Sequence, residues 1–468
     1  MRTRASATWP ILVGALVAGL LADQLFRAAT FGLAATAVFT FAAILLAFTG
    51  RIERLEPRIM LAASALFAAW MSLRASPWLV WPDLAASLLL LGIAASLSVK
   101  GSLYDLAIVE IAARALHGLA HITTGIGFVS RPLADARRRL SLLGPVLRGL
   151  LLAIPIATVL SLLLASADPV FASFFQLNVD PAQLLQDVIF ITAGVIGMAG
   201  LLRLAHSQGV DRVDGPRWRL GTIEALIVLA LLDAVFAAFA IAQLLAATGA
   251  AADTLRAAGI TYADYARSGF FQLLWVSGIT LVVLVLFSRI TGFERSRQTV
   301  AFVALAETAI VLTVLIVIVA FRRLSLYEEA YGLTMLRLYS HIFAGWISIV
   351  FLLLAVDILG GSRRWFAGAT LTSALVVLLT LNFANPEAVV VTLNVDHTRF
   401  THKLDASYFT ELTSDATPTL VDSIGRVDPS LRAPLRSVAC AGDRTYSPSL
   451  AAFNWSGEDA AAARRESC

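Results

Sequence analysis

Two carboxylates in this sequence stand where a charge is most costly. Asp233, between Leu232 and Ala234, and Glu307, between Ala306 and Thr308, each fall near the middle of a long apolar run. An ionised side chain at the centre of a bilayer costs about 2.5–3.5 kcal/mol even on the most lenient scale, so acids there face protein or water and mark proton and ion pathways. The chemistry open to the pair is proton relay across one shared polar cavity. The plainer alternative is two packing acids, hydrogen-bonded to neighbours such as Thr308, Thr313 or Gln243.

A second concentration of reactive side chains runs from Arg322 to Thr334 and on through Arg337, Tyr339 and His341, and it reads as a loop between two apolar runs. Arg323, Tyr327, Glu328, Glu329, Tyr331, Arg337 and His341 can build a recognition patch there, because the planar guanidinium fork suits carboxylate or phosphate ligands. Pairing of the arginines with the two glutamates is the competing reading, and Gly332 supplies a turn. Glu328 and Glu329 also have the character of the outer-loop acids used by lipid-linked glycosyl transferases. Glu110, His117 and His121 share one helical face and could hold a divalent metal, but Arg114 on the same face would repel the cation. No metal site and no cofactor is expected. The two cysteines, Cys440 and Cys468, can form a disulfide if the C-terminal segment lies in an oxidising compartment. There is no phosphate-binding loop, no Gly-x-Ser-x-Gly, no intramembrane Ser–His pair, no His-Glu-x-x-His and no Gly-rich dinucleotide turn, which argues against ATP-driven pumps and the familiar hydrolases.

The elements that must position these residues are membrane helices. Of 468 residues, 58% are hydrophobic and 15% charged, against roughly 45–50% and about 25% in soluble domains; the mean hydropathy is +0.80. A span needs about 20 apolar residues. Eleven such stretches are predicted: Trp9 to Leu25, Thr30 to Thr49, Ile59 to Leu73, Pro77 to Val99, Val146 to Ser166, Leu184 to Ala205, Gly221 to Ala246, Gly269 to Ser288, Thr299 to Phe321, Leu338 to Ile358 and Phe366 to Asn385. Twenty arginines and lysines fall on the side of the N-terminus and seven in the opposite loops. The positive-inside rule then places the N-terminus in the cytoplasm and, with eleven spans, the C-terminus outside.

The fold class expected is all-α. A four-span region (residues 1–99) is followed by cytoplasmic amphipathic helices lying at the membrane interface (100–145), a seven-span bundle (146–385) and a small extracytoplasmic helical domain (386–468). Asp23, Asp83, Glu224 and Asp357 lie nearer span ends and read as boundary residues. In the tail, Asp405 or Ser407 can start a short helix through Leu412, and Ser414 or Asp415 a second towards Ile424 with Pro418 in its first turn. Acids in the tail outnumber bases by three, which does not suit nucleic acid, whereas the basic interfacial helices suit membrane lipids.

The string from Leu326 to Tyr339, with Asn385-Pro386-Glu387, Asn394, the stretch Leu404 to Leu420 and Asn454-Trp455-Ser456, resembles the bacterial polytopic membrane proteins grouped as domain-of-unknown-function family 4173. The resemblance implies a bacterial inner membrane and marks the outer loop, the Asn385-Pro386 exit and the tail as the family's signature surface. It lends no activity and no site residue. Three classes of function stay open. The first is a transporter or channel-like protein that moves an unknown small solute by way of Asp233 and Glu307. The second is a non-enzymatic envelope sensor or scaffold that binds a ligand or an envelope protein through the outer loop and tail. A lipid-modifying enzyme with outer-loop carboxylates ranks last. A polar cavity joining the mid-span acids would favour transport; an apolar bundle beneath a concave outer pocket would favour binding.

Overall fold

In the computed structural model the described residues are 9–28, 30–50, 52, 54–98, 101–106, 110–111, 114, 121, 124–130, single residues between 149 and 164, 181–207, 220–247, 269–292, 296–360 and 365–468. Among them the architecture is helical, with one isolated bridge between Leu220 and Thr291. The long helices are α1 (Trp9–Arg27), α2 (Leu33–Thr49), α3 (Leu55–Leu73), α4 (Pro77–Ser96), α5 (Pro181–Ala205), α6 (Thr222–Ala247), α7 (Phe270–Ile290), α8 (Ser296–Tyr331), α9 (Met335–Gly360) and α10 (Trp365–Ala384). Eight of the described helices are long and apolar enough to cross a bilayer, which makes this an integral membrane protein. Three of the expected eleven spans fall outside this count, for identifiable reasons. Helix α2 is apolar but only 17 residues long, and α3 opens with Glu56, Pro57 and Arg58, which dilute its apolar run. The expected span Val146 to Ser166 and most of the interfacial segment 100–145, His117 included, lie outside the described residues.

Two apolar cores hold the bundle. One unites α1 to α4 with α5; the other unites α6 to α9. Helix α10 lies against both, packing Leu371 and Leu375 on the first and burying Phe366 in the second. Close approach of α1 and α5 depends on small residues: a Cβ at Gly194 would meet Ala22 Cβ at 2.5 Å and Gly19 Cα at 2.9 Å. Without a hydrophobic drive between helices in lipid, such backbone contact is a principal source of association.

The helix ends sort into two faces. On one face, Glu56 accepts from the amide of Leu103 at 2.7 Å, Ser98 donates to the Ala205 carbonyl at 2.8 Å and Arg289 faces Asp357 at 3.9 Å. On the other, Arg27 meets Asp23 and Asp187, Trp78 lies against Tyr339 and Trp70 against Phe383. This second face carries the C-terminal tail.

The tail consists of α11 (Pro386–Thr401), α12 (Thr417–Ser423), α13 (Pro429–Ala439) and α14 (Trp455–Ser467), with 3-10 turns at Tyr408–Glu411 and Ser414–Ala416. Its small core joins Val391, Phe409, Leu420 and Leu435. The tail is fixed to the bundle by satisfying helix ends, whose first amides and last carbonyls have no partner within the helix. Phe453 and Ala451 carbonyls accept from Leu33 and Ala34 at the start of α2, both at 3.0 Å. The Asn454 amide donates to the Met71 and Arg74 carbonyls at the end of α3, at 3.1 and 2.9 Å. Asp415 accepts from the Ala75 and Ser76 amides at the start of α4, at 3.0 and 2.9 Å, a position where a carboxylate also meets the positive end of the helix dipole.

Candidate functional site

Helix α8 is 36 residues long, about 54 Å at 1.5 Å per residue, whereas the hydrocarbon of a bilayer is about 30 Å thick. Its apolar run stops at Phe321, and the helix continues through the arginine, tyrosine and glutamate string to Tyr331. The expected loop is thus helical except for Gly332, Leu333 and Thr334, because good helix formers fill it and nothing breaks it before Gly332. Gly332 has φ +76°. Asn394 of α11 clamps the turn that follows, its Oδ1 accepting from the Leu333 amide at 2.8 Å and its Nδ2 donating to the Leu333 carbonyl at 2.7 Å. Tyr408 Oη accepts from the Met335 amide at 2.7 Å and so supports the start of α9. Burial raises the Tyr408 hydroxyl pKa, and the acids Glu411 and Glu387 add to the shift.

Between this turn and the tail lies a cavity of about 550 Å³, walled by Tyr331, Arg337, His397, Lys403, Asp405 and Tyr408 among others. A second cavity of about 260 Å³ shares Gly332, Leu333, Asn394 and His397 with the first and adds Ser325, Glu328 and Glu329. Together they form one groove around the α8–α9 turn. Arg337 donates to the Tyr331 and Gly332 carbonyls, and its guanidinium sits 4.4 Å from the centre of the Tyr327 ring, which itself contacts Tyr331. Asp405, opposite, accepts from Ser407 Oγ and the Tyr408 amide, and the Ser407 bond holds its carboxyl below the usual range.

At the α8 wall, Ser325 Oγ lies 3.2 Å from His341 Nε2, and His341 Nδ1 lies 2.9 Å from Glu328 Oε1. One helical turn on α8 supplies Ser325 and Glu328; α9 supplies the imidazole. No Ser–His pair was expected from the sequence, since fifteen residues and a turn separate Ser325 from His341. Glu328 is therefore engaged with His341 rather than with the neighbouring arginines. Arg323 departs from the expected patch as well, reaching Gln243 Oε1 of α6 at 3.1 Å and lying beside Gly269. Glu329 and Tyr331 are exposed and line the groove.

The mid-span acids occupy helices that pack on each other, Asp233 on α6 and Glu307 on α8. Both carboxylate oxygens of Asp233 and Oε1 of Glu307 are buried without a hydrogen-bond partner. The neighbours expected to pair with them are committed elsewhere: Thr308 donates to the Ala304 carbonyl, Thr313 to the Ala309 carbonyl, and Gln243 accepts from Arg323. Neither acid lines the groove. Three presumed boundary acids prove buried, Asp23 among them, paired with Arg27. Asp83 is wholly enclosed and accepts from Asn382 Nδ2 at 2.8 Å, and Asp357 is 1% exposed. Glu224 does sit at a helix start, accepting from the Gly221 amide at 3.0 Å.

Beneath the groove, Glu387 is 2% exposed and accepts from the amide and hydroxyl of Thr413 at 2.8 and 2.9 Å. Burial raises its pKa; the Ser76 and Thr413 hydrogen bonds pull it back and the Asp415 charge adds to the rise. Cys440 and Cys468 are joined in a disulfide that ties α14 to the end of α13. Among the described residues no group of three His, Cys, Asp or Glu side chains is placed to hold a metal.

A family model described as a domain of unknown function, DUF4153, matches residues 61–423. The chain belongs to this family. The match corrects the resemblance to family 4173 while keeping its status as a family of unknown function. It covers α3 through α12, and every groove residue named above lies inside it; the disulfide and α14 lie beyond it. No curated protein and no solved structure matches the chain.

Ser325, His397, Lys403 and Tyr408 are groove residues that reading the sequence did not single out. Asn394 stood among the signature residues, but its role as a clamp follows only from the contact across sixty-one positions.

Proposed function

We propose that this protein is a bacterial inner-membrane binding protein whose groove between the α8–α9 turn and the tail takes a small anionic solute or headgroup. The observation that carries this reading is the cavity of about 550 Å³ with Arg337, His397 and Lys403 on its wall. A concave site with a few convergent polar groups is the default form of a small-ligand site; on the larger cavity Arg337 and Lys403 face the single acid Asp405, while Glu328 and Glu329 line only the smaller one. The distribution of twenty basic residues against seven and the Cys440–Cys468 disulfide both support a cytoplasmic N-terminus and an extracytoplasmic tail, because disulfides persist in oxidising compartments. Titrating purified protein with inorganic phosphate, followed by intrinsic fluorescence of the groove tyrosines, tests the reading. Saturable binding that weakens at least tenfold in K403M combined with H397Q is expected; binding unchanged by both substitutions would refute it.

A second reading, proton-linked transport, is favoured by one observation: Asp233 and Glu307 present buried, unpartnered carboxylate oxygens on adjacent membrane helices. D233N and E307Q should each abolish proton uptake by proteoliposomes holding the protein while leaving insertion intact. Uptake that survives both changes ends this reading.

A further inference from the structure

We propose that Ser325, His341 and Glu328 form a nucleophile–base–orienting triad that cleaves carboxylic esters of lipids at the membrane surface. The inference rests on the groove admitting a ligand, and it adds a reaction to that site. Three observations carry it. The first is distance: Ser325 Oγ to His341 Nε2 is 3.2 Å, and His341 Nδ1 lies 2.9 Å from Glu328 Oε1, within ion-pair range, although that oxygen accepts no hydrogen bond in this arrangement; the order is that in which a base activates a hydroxyl and a carboxylate orients the base. The second is access, since Ser325 and Glu328 line the cavity of about 260 Å³ that shares Gly332, Leu333, Asn394 and His397 with the larger one.

The third is depth in the membrane. Ser325 follows the last apolar turn of α8 and the pair Arg322–Arg323, a level at which headgroups begin. Phe321 (45% exposed) and Leu326 (38%) flank it and offer an apolar surface to acyl chains. Ser325 Oγ also lies 3.1 Å from the Phe321 carbonyl, so its proton has two acceptors, and reaction uses the bond to His341. The ring of His341 is held by edge contact with Phe321, with centroids 4.2 Å apart.

In the reaction, Ser325 Oγ forms a bond to the ester carbonyl carbon as its proton passes to His341 Nε2. His397, lining the same cavity, supplies a donor to the carbonyl oxygen. The tetrahedral adduct expels the alcohol, which takes the proton from His341 Nε2 and leaves an acyl group on Ser325. Water then attacks that acyl group, gives its proton to His341, and the carboxylic acid departs as the proton returns to Ser325. Glu328 is a positioning residue in this scheme, stabilising the imidazolium formed in each half.

The test uses full-length protein in nanodiscs and a fluorophosphonate probe, which reacts with activated serines. Labelling of the peptide carrying Ser325 is expected, with loss in S325A and a rate about 10²–10⁴-fold lower in H341Q, the contribution general bases make. E328Q should slow labelling and E328D restore it in part, because a shorter carboxylate still orients the imidazole. Absence of labelling, or labelling that S325A leaves unchanged, overturns the proposal. A second variant guards against misfolding. Both native cysteines are in the disulfide, so S325C carries the sole free thiol, and its alkylation should be at least tenfold faster than in the S325C and H341Q double variant; equal rates also overturn the proposal. Phosphate titration of the wild-type protein separates the two ideas: saturable binding with no labelling leaves the groove reading standing and the triad refuted.

Discussion

At the scale of single residues, the position that most constrains the groove is Asn394. Its amide closes a two-bond ring with the backbone of Leu333 while also donating to the Val390 carbonyl at 3.0 Å, so one side chain serves two backbone groups of the turn and one of α11. Buried backbone groups left without partners cost about 1–3 kcal/mol each. N394A should therefore lower stability by roughly 2–4 kcal/mol, measured as the shift of the denaturation midpoint of the purified protein, with loss of phosphate binding. Gly332 is coupled to the same clamp. A Cβ there would lie 2.7 Å from Asn394 Oδ1, at φ +76°, a conformation that costs an L-residue about 1–2 kcal/mol. G332A should thus destabilise by a similar route, and the combined variant should lose less than the sum, because both act on one contact. A strictly additive double variant would mean the turn and the clamp are independent.

At the scale of elements, the tail docks by capping the ends of α2, α3 and α4, and Glu387 makes that docking depend on pH. Its folded pKa is raised by burial, so the ionised form is the penalised one. A carboxyl raised in this way contributes stability that is fully present below its unfolded pKa and is lost as pH rises through its folded pKa. Wild-type protein should accordingly lose tail stability as pH climbs from the acid side past the folded value. E387Q keeps an oxygen for the Thr413 donors and should flatten that part of the curve; thermal unfolding followed from pH 4 to 8 in both proteins checks it, and parallel curves would exclude Glu387 as the cause. N454A, which strips the Met71 and Arg74 carbonyls of a donor, should expose the tail to protease in folded protein and speed its cleavage several-fold. The elements themselves were legible in the sequence where composition dictates them. The long apolar helices follow from runs of hydrophobic residues; in the tail Asp405 accepts from the Tyr408 amide at the first turn, as expected, but Thr413 rather than Ser414 or Asp415 caps the second, and α12 starts at Thr417 without a side-chain cap. The helical end of α8 was hidden because charge and tyrosine look like loop composition, although helix propensity is unbroken up to Gly332. The capping of α2 by Phe453 and of α4 by Asp415 was hidden for a different reason: contacts spanning 340 positions or more leave no trace in local pattern.

At the scale of the whole molecule, the sequence signal was sound for class and blind to convergence. Hydropathy marks a membrane bundle, and locating charge within it draws attention to Asp233, Glu307 and the α8–α9 string. It does not say that Glu328 turns toward His341, that Arg323 turns away toward Gln243, or that a tail segment forms the second wall of the groove; those depend on which helices become neighbours. The two-faced arrangement yields a prediction that joins the groove to a compartment. All groove residues lie on the face that carries Cys440 and Cys468, so the side of the cysteines is the side of the ligand. Opening the disulfide frees a loop with a sequence separation of 28, which in the chain-entropy treatment is worth about 3–4 kcal/mol, so C440S should lower the tail's denaturation midpoint without removing the membrane helices. In intact bacterial cells expressing C440S, Cys468 is the remaining thiol, and the proposed orientation, with the tail outside, predicts that a membrane-impermeant maleimide labels it without lysis. In wild-type cells the same reagent should label only after treatment with a reductant. Labelling of C440S that requires lysis would place the tail and groove in the cytoplasm, reverse the assigned orientation, and redirect the search for the ligand to cytoplasmic solutes.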